Sequence, residues 1–153
     1  MQHWGMELTR TFTDTQYAHA LESWTFLDLD GKVPVFTSPF GDVVFQAEDG
    51  FWWLDTLEGT LTRPWASAQE LERELDTEDG QDQYLLAGLV VGAAGEGVVP
   101  SGDQVYSFAH PPQLGGEIAL GNLEVLDFVV SLNILGQIHT QIRELPPGTP
   151  ISL

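Results

Sequence analysis

The chain has 153 residues, of which 23 are Asp or Glu and only 5 are Lys or Arg, giving a formal net charge of −18. That length suits one domain with one substantial core, and the hydrophobic fraction of 42% is ordinary for a globular protein. The charge argues against direct nucleic-acid binding, which rests on Lys and Arg, and favours the approach of a basic partner.

The amino terminus, Met1 to Glu7, lacks the basic start and apolar run of a signal peptide. The longest apolar stretch, around Leu85 to Val91, is far short of the roughly 20 residues of a membrane span. Both features lead to an expected cytoplasmic protein with no membrane partner. With no cysteine, a disulfide frame, a thiolate zinc site and a cysteine nucleophile are all excluded.

Thr13-Asp14 precedes a capped short helix, Gln16 to Trp24, with Tyr17, Leu21 and Trp24 at helical spacing. Phe26 to Asp30 alternates like a strand towards the turn signal Asp30-Gly31. Asp28-Leu29-Asp30-Gly31 has a fragment of a calcium loop but lacks its spacing and closing Glu, so no metal is expected there. Pro34 to Pro39 reads as a loop or an edge strand, because each proline removes a ladder donor.

Asp42 to Gln46, the turn Glu48-Asp49-Gly50 and Phe51 to Asp55 make a hairpin, and Leu57-Glu58-Gly59 turns into a third strand, Thr60 to Arg63. This meander carries aromatics on both faces, so both need cover. Trp52, Trp53 and Trp65 are the residue types of a stacking platform, but buried sheet aromatics are the commoner use of such a run.

Ser67-Ala68-Gln69-Glu70 is a capping box, opening a helix that turns Leu71 and Leu75 inward. Glu70, Glu72, Glu74 and Asp76, followed by Glu78, Asp79 and Asp82, are the densest charge on the chain, with Arg73 as their only basic neighbour. Such a run suits a solvated helix and equally a pad for a basic protein surface. Asp82 reads as the cap of a second helix, Gln83 to Ala94. Gly88, Gly92, Gly95 and Gly97 lie in and after it, in the wrong order for a phosphate loop, and read as close packing and a helix stop.

Val105 to Phe108 reads as a strand, bent away at His110-Pro111-Pro112. Gly115-Gly116 reads as a pair of positive-φ positions before a strand from Glu117 to Leu120. Leu123 to Val130 reads as a buried strand in which Asp127 needs partners. From Ser131 the period changes: Leu132, Leu135, Ile138, Ile142 and Leu145 recur at helical steps up to Pro146. His139 falls on the flank of that stripe and reads as a boundary histidine bonded to backbone or to Asp127.

A hydrolase would have to use His110 or His139 with Glu117 or Asp127, and nothing in their spacing imposes such a pairing. There is no Gly-x-Ser-x-Gly elbow, His-Glu-x-x-His or paired-histidine metal spacing. The residues therefore point to no catalytic residue, no metal and no cofactor. The expected fold is a single α+β domain, a mixed, mainly antiparallel sheet packed by several helices. Residues 1–34 form an N-terminal segment of that domain and 35–153 its body.

Two blocks of words add a resemblance. Tyr106 to Glu117 reads Y-x-F-x-x-P-P-x-L-G-G-E, and Asn122 to Gly148 follows with N-L-E-V-L-D-F-V-V-S-L-N-I-L-G-Q-I-H-x-Q-I-R-E-L-P-P-G. Upstream, Phe40 to Phe45 and Trp53 to Gly59 complete the set, spanning roughly residues 35 to 150. The chain resembles the family that forms the C-terminal domain of immunity proteins against type VI secretion DNase effectors, here as a short stand-alone member. The resemblance implies a non-enzymatic bacterial protein whose partner is a cognate toxin, a nuclease with a basic cleft. The acidic pad Glu70, Glu72, Glu74, Asp76, Glu78, Asp79 and Asp82 is the expected contact surface. The alternative is a regulatory or adaptor module that recruits a cellular protein or a small ligand through the aromatic sheet.

Overall fold

In the computed structural model, which describes residues 8–145, the β-branched and aromatic run after Lys32 forms a four-stranded antiparallel meander. Its strands are β1 (Val33–Thr37), β2 (Val43–Ala47), β3 (Gly50–Asp55) and β4 (Thr60–Trp65), in spatial order β1-β2-β3-β4. Pro34 does confine β1 to the edge, and the register slips between Pro34 and Phe36. Ala47 pairs with Gly50 across the tight β2–β3 turn, and Asp55 pairs with Thr60 across the next.

Alternation along β2 then divides the interior in two. Val43 and Phe45 join Leu54 on one face, packed by α1 (Asp14–Ala20), by a 3-10 turn at Glu22–Trp24 and by α5 (Phe128–Glu144). Val44 and Trp65 lie on the other face, covered by α2 (Ala68–Leu75), α3 (Glu78–Leu85) and α4 (Ala87–Gly95), with Tyr106 and Phe108 of β5 (Gln104–Phe108). Both faces of the aromatic sheet are thus covered. Trp65 is buried, Trp53 meets Tyr84 edge-on at 4.6 Å, and Trp52 is half-buried, with Lys32 4.3 Å from its ring.

The segment before β1 enters the same interior. Thr13 and Gln16 form a reciprocal capping box for α1. Arg10 exchanges two backbone hydrogen bonds with Thr37 on the outer edge of β1. Tyr17 and Thr37 share a buried hydroxyl contact of 2.8 Å, and the Trp24 Nε1 donates to the Leu132 carbonyl of α5 at 3.0 Å.

The class is α+β, built from two antiparallel sheets: the meander, and a ribbon of β5 with β6 (Leu123–Asp127). Among the described residues no strand pair is parallel. Several local expectations are corrected. Phe26 to Asp30 is bends and turns, because Asp28 Oδ1 accepts from the Asp30 amide and closes a local turn instead of a ladder. Glu117 to Leu120 is likewise not a strand. There the backbone amide of Gly116 bonds back to Pro111, and a 3-10 turn at Leu120–Asn122 follows.

The single helix read from Gln83 to Ala94 is two. Thr77, not Asp82, caps α3, and the chain breaks at Leu86, a left-handed residue at φ 51°. Asp82 caps the next helix from inside α3, its Oδ1 accepting from the Gly88 amide at 3.2 Å. The strand read as Leu123 to Val130 stops at Asp127. That residue is no buried strand carboxylate but the N-cap of α5, accepting from the Val130 amide at 3.1 Å. The helix therefore begins three residues before Ser131. It ends at Glu144, and the proline stop at Pro146 lies outside the described residues.

One buried carboxylate ties together the β1–β2 and β3–β4 connections of the meander. Asp42 Oδ1 accepts from the Thr56 amide (2.8 Å) and hydroxyl (2.6 Å), and its Oδ2 from the Ser38 hydroxyl (2.9 Å). Burial, reinforced by the charge of Asp55, pushes Asp42 up to about 6. Because the folded value lies above the unfolded one, the unfolded chain ionises first as pH rises. Stability should therefore fall between about pH 4 and pH 6, by up to about 3 kcal/mol, and then level off. Asp55, raised by its own burial, acts in the same direction. Urea unfolding at pH 5 and pH 7.5 should show the higher midpoint at pH 5, and Asp42→Asn should flatten the difference. A protein more stable at pH 7.5 than at pH 5 would refute this assignment.

Candidate functional site

Two features stand out: an acidic helix pair and a cleft walled by the signature loop. Ser67 caps α2, its hydroxyl accepting from the Glu70 amide at 3.2 Å. Glu70 reaches back one residue further than a capping box requires, accepting from the Ala66 amide at 3.1 Å. Leu71 and Leu75 are buried as expected, which leaves Glu70, Glu72, Arg73 and Asp76 exposed.

Thr77 then joins the two helices. Its hydroxyl donates to the Glu74 carbonyl at the end of α2 and accepts from the Gly80 amide at the start of α3. The result sets Glu78, Asp79 and Asp82, all exposed, on a helix in contact with α2. Glu78 and Asp79 also complement the partial positive charge at the start of α3. The fold thus gathers the seven sequence-predicted carboxylates on one helix pair, but they are not equivalent. Glu74 is half-buried and accepts from Trp65 Nε1 at 2.7 Å. Burial, and then the neighbouring Glu74 charge, push the Tyr84 hydroxyl up to about 12. Glu74 therefore serves the core, while Glu70 and Asp82 serve helix ends. The ion pair between described residues lies elsewhere, Arg63 Nε to Asp49 at 3.9 Å.

The signature words fold into a braced loop. Tyr106 and Phe108 stand buried on β5, and Pro112–Leu114 forms a 3-10 turn. The two glycines have different reasons. Gly115 takes φ +100°, whereas a Cβ on Gly116 would lie 1.8 Å from the His110 carbonyl oxygen. Asn122 clasps the loop, accepting from the His110 amide and donating to the carbonyls of His110 and Glu117, all at 2.8–2.9 Å. Gln113 Nε2 donates to the Thr56 and Leu57 carbonyls at 3.1 Å, docking the loop onto the β3–β4 turn. His139, read as a boundary histidine bonded to backbone or to Asp127, is instead buried, and its partner is backbone: Nε2 donates to the same Thr56 carbonyl at 2.8 Å. His110, exposed, points Nε2 at the Leu114 carbonyl. Both histidines are engaged in holding backbone.

Between this loop, the β5–β6 ribbon, the β3–β4 turn and α5 lies a cleft of about 100 Å³. Leu57, Phe108, Leu126, Ile134 and Leu135 supply apolar walls, and Ser131 and Glu124, with Thr56 and Ser107, the polar ones. Sequence reasoning missed it because its walls come from four separated stretches. One signal was present: Ser131 is a polar residue beside Leu132 and Leu135 on the inward stripe of a helix. Among the described residues no group of His, Asp and Glu side chains is arranged to hold a metal ion. Among them, too, no helix is long and apolar enough to cross a membrane.

No curated protein matches the chain. Among solved structures, the crystal structure of Atu4351 from Agrobacterium tumefaciens is similar, with a TM-score of 0.55 at 16% sequence identity. The match covers 85% of this chain and 66% of that one, and at this identity it speaks for the fold. The family model described as "T6SS immunity protein Tdi1, C-terminal" matches residues 66–139. That stretch runs from the start of the acidic helix pair through the signature loop to His139, and leaves the upstream words in β2 and β3 outside it. The resemblance read in the sequence is thereby shown: over residues 66–139 this chain matches the family of type VI secretion immunity proteins at their C-terminal domain.

Proposed function

We propose that this chain is a cytoplasmic immunity protein that binds a cognate type VI secretion toxin, a nuclease, and neutralises it without catalysis. The observation that carries the reading is the family match over residues 66–139, which encloses the whole acidic helix pair. A nuclease cleft that holds phosphates is basic. The exposed carboxylates Glu72, Asp76, Glu78 and Asp79, on a chain of net charge −18, offer it a complementary surface. Glu70, Glu74 and Asp82 complete the pad while bracing the helices that present it.

The test is copurification with the toxin-like protein co-produced in the same cells, at low and high salt. A one-to-one complex that restores growth and silences nuclease activity is expected. Glu72→Lys, Asp76→Lys and Asp79→Lys together touch no capping or core bond. They should weaken the complex about ten- to a hundred-fold and flatten its salt dependence, with stability lowered by about 1 kcal/mol or less through the reversed Asp79 charge at the start of α3. Equal affinity and an equal salt slope in the triple variant would discard the pad. Capture of an endogenous protein in cells lacking any such toxin would favour the adaptor alternative.

A further inference from the structure

The cleft beside the signature loop holds a polar atom that the fold leaves unused. The Ser131 side chain lines it, is 1% exposed, and its Oγ has no hydrogen-bond partner. A buried polar atom without a partner is costly to the fold, so a partner's group that reaches it would be stabilised. Glu124, exposed, contributes the carboxylate of the lining, and no Lys, Arg or His lines the cleft. The lining therefore offers a carboxylate and hydroxyls, among them the unpartnered Ser131 Oγ, a set that can receive hydrogen bonds and positive charge.

The remaining walls are apolar. A cleft of about 100 Å³ is well below the several hundred Å³ typical of small-molecule sites, and suits one long side chain. Apolar walls around a stem and acceptors around its tip describe an amphipathic cation, whose methylenes prefer apolar contact and whose head needs acceptors.

We infer that this cleft is a socket for a basic side chain, Arg or Lys, inserted from a protein partner. Its stem packs on Phe108, Leu126, Ile134 and Leu135, and its charged head is received by Glu124 and Ser131. This inference rests on the reading of the chain as a protein-binding immunity domain, and it adds a second point of contact apart from the acidic helices. It also gives the signature loop a task. Asn122 and Gly116 hold the loop in the shape that closes one side of the socket.

The socket can be tested without the toxin. N-acetyl-arginine amide is titrated into the isotope-labelled full chain, with N-acetyl-citrulline amide and N-acetyl-leucine amide as neutral comparators. Amide shifts at Leu126, Ser131 and Leu135 that saturate in the millimolar range with the arginine probe, and at least about five-fold more weakly with citrulline, are expected. Glu124→Gln, at an exposed position, should weaken the arginine probe about three- to five-fold without altering the fold. Ile134→Lys, also exposed, sets a tethered ammonium at the mouth and should compete with it. No shifts at these amides, equal binding of citrulline, or preference for leucine would each overturn the basic-side-chain socket. A toxin complex formed by a chain that fails the probe test would leave the immunity reading standing and remove only the socket. A chain that passes the probe test but captures no toxin would do the reverse.

Discussion

Trp24→Ala is expected to cost about 3–5 kcal/mol, against a total of about 5–15 kcal/mol for a domain of this kind. Trp24 is fully buried among Val43, Phe45, Leu54, Phe128 and Leu132, in the core that joins the N-terminal helix to the sheet and to α5. Truncation leaves an indole-sized void and removes the bond from Nε1 to the Leu132 carbonyl. Neighbours on three different elements cannot all collapse into that space, which is why the upper part of the range applies. Urea unfolding should show the midpoint moving strongly with a two-state transition retained. Trp24→Phe should recover roughly half of the loss, because it refills most of the volume but not the hydrogen bond. A loss below about 1 kcal/mol would mean that residues 13–25 rest on the domain without contributing to its core.

Gly80→Ala is the second large effect, at about 3 kcal/mol or more. A Cβ at this position would lie 1.9 Å from the Glu74 carbonyl oxygen and 2.7 Å from its carbonyl carbon. Both are backbone atoms at the end of α2, so no side chain can swing aside. Relief requires α2 and α3 to part, which would also strain the Thr77 hydroxyl bridge and the Trp65–Glu74 bond. The acidic pad is then displaced as a unit. The variant should lose stability by chemical denaturation and lose toxin affinity along with it. By contrast, Gly95→Ala, where nothing lies within 4 Å of the added carbon, should be stable and bind normally. A Gly80→Ala protein as stable as its parent would show that the two helices do not meet as closely as described.

The meander, the capped α1, the Ser67 cap of α2 and the helical stripe of α5 were all legible in the residues. Each rests on a local rule: alternation on a pleated strand, a hydroxyl three residues before an amide, or apolar side chains at helical steps. The misreadings also share a cause. Asp127 sits between an apolar strand and an apolar helix, so hydrophobicity is continuous across a boundary that only its capping bond to Val130 marks. Leu86 interrupts a helix without glycine or proline, because Asp82 and the buried Leu85 and Val90 hold the two halves in place from outside the break. The Glu117 to Leu120 segment looks extended by composition, but Asn122 claims the Glu117 and Ala119 carbonyls for the loop.

By itself the sequence determined the α+β class, the covered aromatic sheet, the excess of carboxylates and the family resemblance, because these depend on composition, period and contiguous words. Only the tertiary structure decided which carboxylates are free to meet a partner and which are consumed within the fold, as Glu74 is by Trp65. It alone decided that Asp42 is buried, and that Leu57, Phe108, Glu124 and Ser131 share one cleft. The physical reason is separation along the chain. A cap or a strand face is fixed by neighbours a few residues away, whereas a cleft or a buried carboxylate is made by stretches dozens of residues apart, brought together by packing that no local pattern records.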